Sequence, residues 1–224
     1  MKETRYITLL IIIISMISCR QNKNVEELSE FYSNQISNKE LIAEIDFSKS
    51  ETVLLNDIEK QLNVDLCDHS VFSAKMNFKN TEIIFPAYAI KNCNWNSFSY
   101  NKISILINKE NQVLIGNKVI KHTDNLENII IELTNKIRTE TERKPIIYLI
   151  QWDNSIAPKL IKNRVFKILQ AIENYTKEIA KKKYNKDISK LSEQELSELK
   201  REFNGIIGFN DSLKPPPPQT ENRK

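Results

Sequence analysis

Few side chains in this sequence are suited to chemistry, and most of them are cysteine, histidine or acid. The 224 residues include three cysteines and two histidines. Cys67, His69, Cys93 and His122 are all of types that ligate zinc. Structural zinc sites, however, present their ligands as two close pairs, and the Cys67-Asp68-His69 spacing does not provide one. Cys67 and Cys93 then have two other readings. One is a disulfide closing 26 residues, worth about 3 kcal/mol on the chain-entropy account; the other is two free buried thiols. Asp153, Asn154 and Ser155 follow an apolar run, at the kind of strand end where α/β proteins build their sites. No Ser or Cys stands in a nucleophile-elbow context, and no pair of acids is spaced for acid–base work. Asp153 therefore reads as a loop-fixing or helix-capping residue. The sequence is expected to be non-catalytic, with no cofactor and no resident metal.

The third cysteine belongs to a different chemistry. Lys2 and Arg5 precede an apolar run from Tyr6 to Ser18, which is 13 residues long. A membrane-spanning helix needs about 20, so this is the length of a signal-peptide core. Met16-Ile17-Ser18-Cys19 resembles a bacterial lipobox, in which the cysteine is lipidated after cleavage. Acyl chains on Cys19 would tether an exported domain to a membrane. Residues 1–18 are thus expected to be a signal peptide. The remainder is expected to lie in the envelope, facing the periplasm or the exterior, where Cys67 and Cys93 meet oxidising conditions.

Composition narrows the partners. With 40% hydrophobic and 28% charged residues the balance is globular. Only three glycines are present, too few for Gly-rich phosphate loops or a dinucleotide fingerprint. The net charge of +4 conceals two opposed blocks. Residues 24–70 hold eleven acids and three lysines, and residues 159–190 hold ten bases and three acids. Export excludes nucleic acid as a partner of Lys181-Lys182-Lys183. A solvated helix face is the expected reading of the basic block, with anionic headgroups or cell-wall polymer as candidate partners.

The elements that would position these residues follow from periodicity. Val25, Leu28, Phe31, Tyr32 and Ile36, then Leu41, Ile42 and Ile45, then Leu54, Leu55, Ile58 and Leu62, recur at helical spacing. Residues 19–80 are therefore expected to form an acidic, mostly helical N-terminal region. Ile83-Ile84-Phe85 reads as a strand stopped by Pro86. Lys102 to Ile107 alternates as a strand, and Gln112 to Ile115 returns after a turn. Gly116-Asn117 makes a second tight turn into Val119-Ile120. Leu126, Ile130, Leu133 and Ile137 form one helical stripe, capped by Asp124. Ile146 to Ile150 is a continuous apolar run of the central-strand type. A long helix follows from near Ser155, with Pro158 in its first turn. Its apolar positions Ile161, Val165, Ile168, Ile172, Tyr175 and Ile179 form a seam that either packs on a sheet or meets a second copy. Ile206-Ile207-Gly208-Phe209 is a last strand. The expected fold is α/β (α+β), a two-layer sandwich over residues 81–211. It would comprise a small mixed sheet and two helices, one of them long and C-terminal. Residues 212–224, with Pro215 to Pro218, form a Pro-rich disordered tail.

In this order the strings resemble the periplasmic domain of the ExbD/TolR family, proteins of biopolymer transport that partner a proton-driven envelope motor. Ile83-Ile84-Phe85-Pro86-Ala87 resembles the family's opening strand. Ile103-Ser104-Ile105, Val113-Leu114-Ile115 and Gly116-Asn117 resemble its strand, turn and strand, with the final Asn-Gly reversed. Tyr148-Leu149-Ile150-Gln151-Trp152-Asp153 resembles the strand ending in Asp, and Ile156-Ala157-Pro158 takes the place of its Val-Pro-Tyr-Gly. The resemblance spans about residues 82–211. It implies a homodimer that docks an ExbB/TolQ-like or TonB-like partner or peptidoglycan, with Asp153 and Pro158 in the family-motif loop. Members that power transport carry an Asp within a transmembrane helix, whereas Tyr6 to Ser18 has no carboxyl or amine side chain. The resemblance therefore implies a docking domain without proton coupling. The other class of function left open is a ligand- or metal-binding lipoprotein of the envelope.

Overall fold

The computed structural model describes residues 26–29, 31–32, 41–68, 70–91, 100–116, 118–120, 125–140, 144–202 and 205–210, the last two residues of the 144–202 stretch by backbone alone. The fold is mixed α/β, built on one eight-stranded sheet. In chain order its elements are β1 (Ile42–Glu44), α1 (Glu51–Leu62), β2 (Val71–Phe78), β3 (Thr81–Ile90), β4 (Asn101–Ile107), β5 (Val113–Ile115), β6 (Lys118–Ile120), α2 (Leu126–Glu140), β7 (Ile146–Trp152), α3 (Pro158–Tyr184), α4 (Glu193–Glu202) and β8 (Gly205–Asn210). Residues 26–29 and 31–32 are helical as well.

The strand order is β1-β2-β3-β8-β7-β4-β5-β6. The central four strands, β3, β8, β7 and β4, run parallel. Parallel neighbours need long connections, and α2 and α3 supply those leading into β7 and towards β8. β7 lies between β4 and β8, and every residue of it from Ile146 to Trp152 is buried. That accounts for its uninterrupted apolar reading. Helices α1, α2 and α3 bury Leu54, Ile58, Leu126, Ile130, Ile161 and Val165 in one cluster with Phe85, Tyr148 and Phe209 of the sheet. The opposite face carries a smaller cluster of Tyr88, Ile147 and Ile206.

Several expectations need correction. The described residues of the region 19–80 are not mostly helical, since β1 and β2 lie among them, and there is no structural break at residue 81. β2 and β3 form one hairpin, in register from Val71↔Tyr88 to Phe78↔Thr81. Phe72, Ala74, Met76 and Phe78 are buried and alternate with more exposed or polar residues, the period-2 pattern of a strand. Leu41, Ile42 and Ile45 lie in and beside β1, not in a helix; Ala43 and Ile45 point inward while Leu41 and Ile42 are exposed. α1 forms as expected. The sheet accordingly has eight strands, two more than residues 81–211 supply, the additions being β1 and β2.

Pro86 does not end its strand either. It sits opposite Ser73 on β2, whose N–H is given to Leu41 on the other side. The missing proline N–H therefore faces the β8 side, where pairing begins only at Ala87↔Ile207. A proline is tolerated where no ladder bond is required of it. β7 runs two residues further than expected, through Gln151 and Trp152. α3 starts at Pro158 rather than near Ser155, because Ser155 is held in a turn by Asp153.

One buried acid gives the fold a pH dependence. Glu173 on α3 is 4% exposed and pairs with Lys177 at 2.6 Å. Burial pushes its carboxyl above the usual range, the Lys177 ammonium opposes that, and Glu27 and Glu127 add to it. A carboxyl raised in the folded state binds more protons there than in the unfolded chain. Its contribution to stability therefore falls as pH rises from about 4.3, the unfolded value, through the folded one. The stability of wild type relative to Glu173→Gln is expected to fall over that window in urea unfolding series. A difference independent of pH would contradict the placement of Glu173.

Candidate functional site

The C-terminal ends of the parallel strands were the expected place for chemistry, and the structure shows the acids there committed to holding the chain. The Asp153 carboxylate accepts from the Ser155 hydroxyl at 2.5 Å and the Ser155 N–H at 2.9 Å. Those bonds, hydroxyl first, hold its carboxyl below the usual range. This is the turn chemistry of an Asx residue, and it ends β7 before α3 begins. Glu51, first residue of α1, accepts the Trp152 N–H at 3.0 Å. Burial pushes the Glu51 carboxyl up, and the Trp152 N–H partly offsets that. The Trp152 ring meets Phe47 at 5.6 Å and Phe209 at 6.4 Å, so the carboxylate and the indole together fasten α1 to the sheet.

Cys67 follows α1 and is disulfide-bonded. Its N–H donates to the Asp65 carboxylate at 2.8 Å. A bonded sulfur is not a thiolate, so Cys67 is not available to a metal. Cys19, Cys93, His69, His122 and Asp124 lie outside the described residues. Among the described residues no group of three or more His, Cys, Asp and Glu side chains is arranged to hold a metal ion.

The α3 seam is a packing seam. Ile161, Val165 and Ile168 are fully buried, Ile172 and Tyr175 nearly so, and Ile179 partly buried, all against the core of the same chain. A second copy has no access to it. Pro158, at the exposed start of α3, lies instead on the outer side of the helix, at the edge of a groove.

That groove is a concave feature of about 820 Å³, and periodicity alone did not reveal it. One wall is the tip of the β2–β3 hairpin, Asn77 to Lys79; the other is the outer side of α3 from Pro158 to Gln170. Phe78 and Phe166 stack between them, with ring centroids 4.5 Å apart and planes 15° apart. Four lysines line it, Lys79, Lys159, Lys162 and Lys167, and no acid among the described residues does. Lys162 reaches the Asn77 carbonyl at 3.4 Å and Lys167 the Gln170 side chain at 3.2 Å. The end of the basic block is different. Lys181, Lys182 and Lys183 lie within ion-pair distance of Asp187, Glu178 and Glu198. The charge of α3 is thus met by the protein's own acids near its C-terminus and left open toward the groove. The available signal was the lysine spacing of 159, 162 and 167, but its hairpin wall lies about eighty residues earlier in the sequence.

The hairpin tip is built for position rather than ease. Lys79 and Asn80 both have positive φ, 49° and 65°, as a two-residue turn matching strand twist demands. Asn tolerates that conformation; a lysine there costs about 1 kcal/mol. Lys79→Gly is expected to raise stability by about 0.5–1 kcal/mol, read as a higher urea midpoint. A lower midpoint would mean that the lysine side chain contributes more to the fold than its backbone costs.

No protein-family model, curated protein or solved structure matches the chain.

Proposed function

We propose that the protein is a non-catalytic docking module of the cell envelope, tethered through a lipid on Cys19 and related in design to the periplasmic domain of ExbD/TolR proteins. The observation that carries this reading is the order of elements from β3 to β8. A strand, a three-stranded meander, a helix, a strand leading into Asp153, a long helix, a shorter helix and a last strand follow one another, an order in keeping with the resemblance. The state of the edge acids supports it. Asp153 and Glu51 are engaged by main-chain N–H groups, as structural residues are, and among the described residues no base–nucleophile pair accompanies them. Among the described residues no helix is long and apolar enough to cross a membrane. In this reading attachment comes from acyl chains, and proton coupling, if the module serves a motor, comes from the partner. A homodimer would use a surface other than the Ile161–Ile179 seam.

Mass spectrometry of the membrane-extracted protein tests the tether. The expected result is a chain beginning at a lipidated Cys19, with Cys19→Ser moving to the soluble fraction. Affinity capture of the wild type is expected to recover an ExbB/TolQ-like or TonB-like subunit or peptidoglycan. Recovery of none of these, or an unmodified Cys19, would contradict the reading.

A further inference from the structure

We infer that the groove between α3 and the β2–β3 hairpin binds an acidic segment of another protein, one that carries apolar side chains between its acids. Charge comes first. Among the described residues the lining holds four lysines and no carboxylate, and Lys159, Lys162 and Lys167 form no ion pair. Among the described residues, Asp46, outside the lining, feels Lys162, but its carboxyl is held below the usual range mainly by its bonds from Ser48. Basic side chains on two facing walls raise the local concentration of an anion entering between them. The second feature is apolar. Leu160 is 39% exposed on the helix wall, and the Phe78–Phe166 stack forms the floor. A ligand that is only charged would leave that surface unused.

Length and shape select the class of ligand. Lys159 and Gln170 are eleven residues apart on α3, about 16 Å at 1.5 Å per residue. That is the reach of about five residues of extended chain, and far more than a single phosphate or carboxylate spans. A bilayer is flat and would meet the rim of the groove rather than its floor, so a chain segment fits better than a headgroup surface. The occupant comes from another molecule. Taken whole, none of the segments 1–25, 33–40, 92–99, 121–124, 141–143, 203–204 and 211–224, which lie outside the described residues, carries net negative charge. The inference rests on the docking reading only for the source of the segment; the groove's preference for acid-and-apolar chain stands by itself.

The test is fluorescence anisotropy with the purified mature chain and a labelled short peptide of alternating Glu and Leu. Binding is expected at low ionic strength, weakening as salt rises. Lys162→Glu with Lys167→Glu is expected to weaken it at least about tenfold, and Lys162→Gln with Lys167→Gln by a smaller factor. Lys79→Gly is expected to weaken binding while the fold becomes more stable, which separates the two roles of that residue. Unfolding midpoints of the exposed lysine variants serve to confirm that the fold is kept. Equal affinity for a Lys–Leu peptide, or unchanged binding in the charge-reversed variant, would overturn the inference. So would stronger lysine dependence for phosphatidylglycerol vesicles than for the peptide, or self-association of the wild type that the same substitutions abolish. Cys19 lipidation is measured separately, so loss of the docking reading and loss of the groove's ligand are distinguishable.

Discussion

Trp152→Ala is expected to lower the unfolding free energy by about 3–5 kcal/mol, the range for removing a buried large aromatic. Trp152 is 1% exposed at the end of the central strand β7. Its ring touches Phe47, just before α1, and Phe209 of β8, so truncation opens a cavity where three elements meet. The surrounding strands are hydrogen-bonded on both sides and cannot collapse into the space. A domain of this kind has only about 5–15 kcal/mol in total, and the variant is expected to show a sharply lower urea midpoint by circular dichroism. Trp152→Phe, which keeps a ring, should lose much less. A loss below about 1 kcal/mol for Trp152→Ala would mean that the ring does not sit in the core.

The second large effect comes from adding atoms. Gly208 lies in β8 between β3 and β7, opposite Tyr88 and Leu149. A Cβ there would stand 2.5 Å from Ile147 Cγ2 and 3.3 Å from Leu149 Cδ1. Ile147 is β-branched and 2% exposed, so its methyl has no free rotamer to retreat into. Gly208→Ala is therefore expected to cost about 1–3 kcal/mol through overpacking, in spite of the lower backbone entropy of alanine. The diagnostic is the double variant. Ile147→Ala removes the offending methyl, so Ile147→Ala with Gly208→Ala should be less destabilised than the sum of the singles by about 1 kcal/mol or more. Strict additivity would contradict the contact.

Both residues show what could be read from the sequence and what could not. Ile146 to Ile150 announced a central strand, and Ile206 to Phe209 announced a last one, because buried parallel strands need unbroken apolar runs. That β8 is inserted between β3 and β7 was not legible, since period 2 identifies a strand but not its neighbours. Gly208 then looked like an ordinary small residue; only the proximity of Ile147 makes it necessary. The β1–β2 edge of the sheet was misread for a related reason. Leu41, Ile42 and Ile45 fit a helical stripe as well as a short strand, and a three-residue element offers too few positions to decide.

The candidate site divides in the same way. Asp153 was legible as a strand-end residue, and its Ser155 contacts agree with the loop-fixing reading. The α3 seam was legible as apolar, and burial assigns it to packing within the chain. The basic block was legible only as a sum. Which lysines meet acids and which stay open depends on Asp187, Glu178 and Glu198 lying near the helix end. It depends also on a hairpin tip brought beside α3 by the sheet. No local pattern encodes that neighbour.

Site-specific photo-crosslinking in intact membranes tests the docking account most directly, with a photo-reactive residue placed at Leu160 in the groove and, as a control, at the exposed Val119 on β6. The account predicts a cross-link from position 160, and not from 119, to an acidic segment of an envelope partner identified by mass spectrometry, lost when Lys162 and Lys167 are changed to Glu. Cross-links confined to lipid or to a second copy of the chain, or equal yields from the two positions, would contradict it.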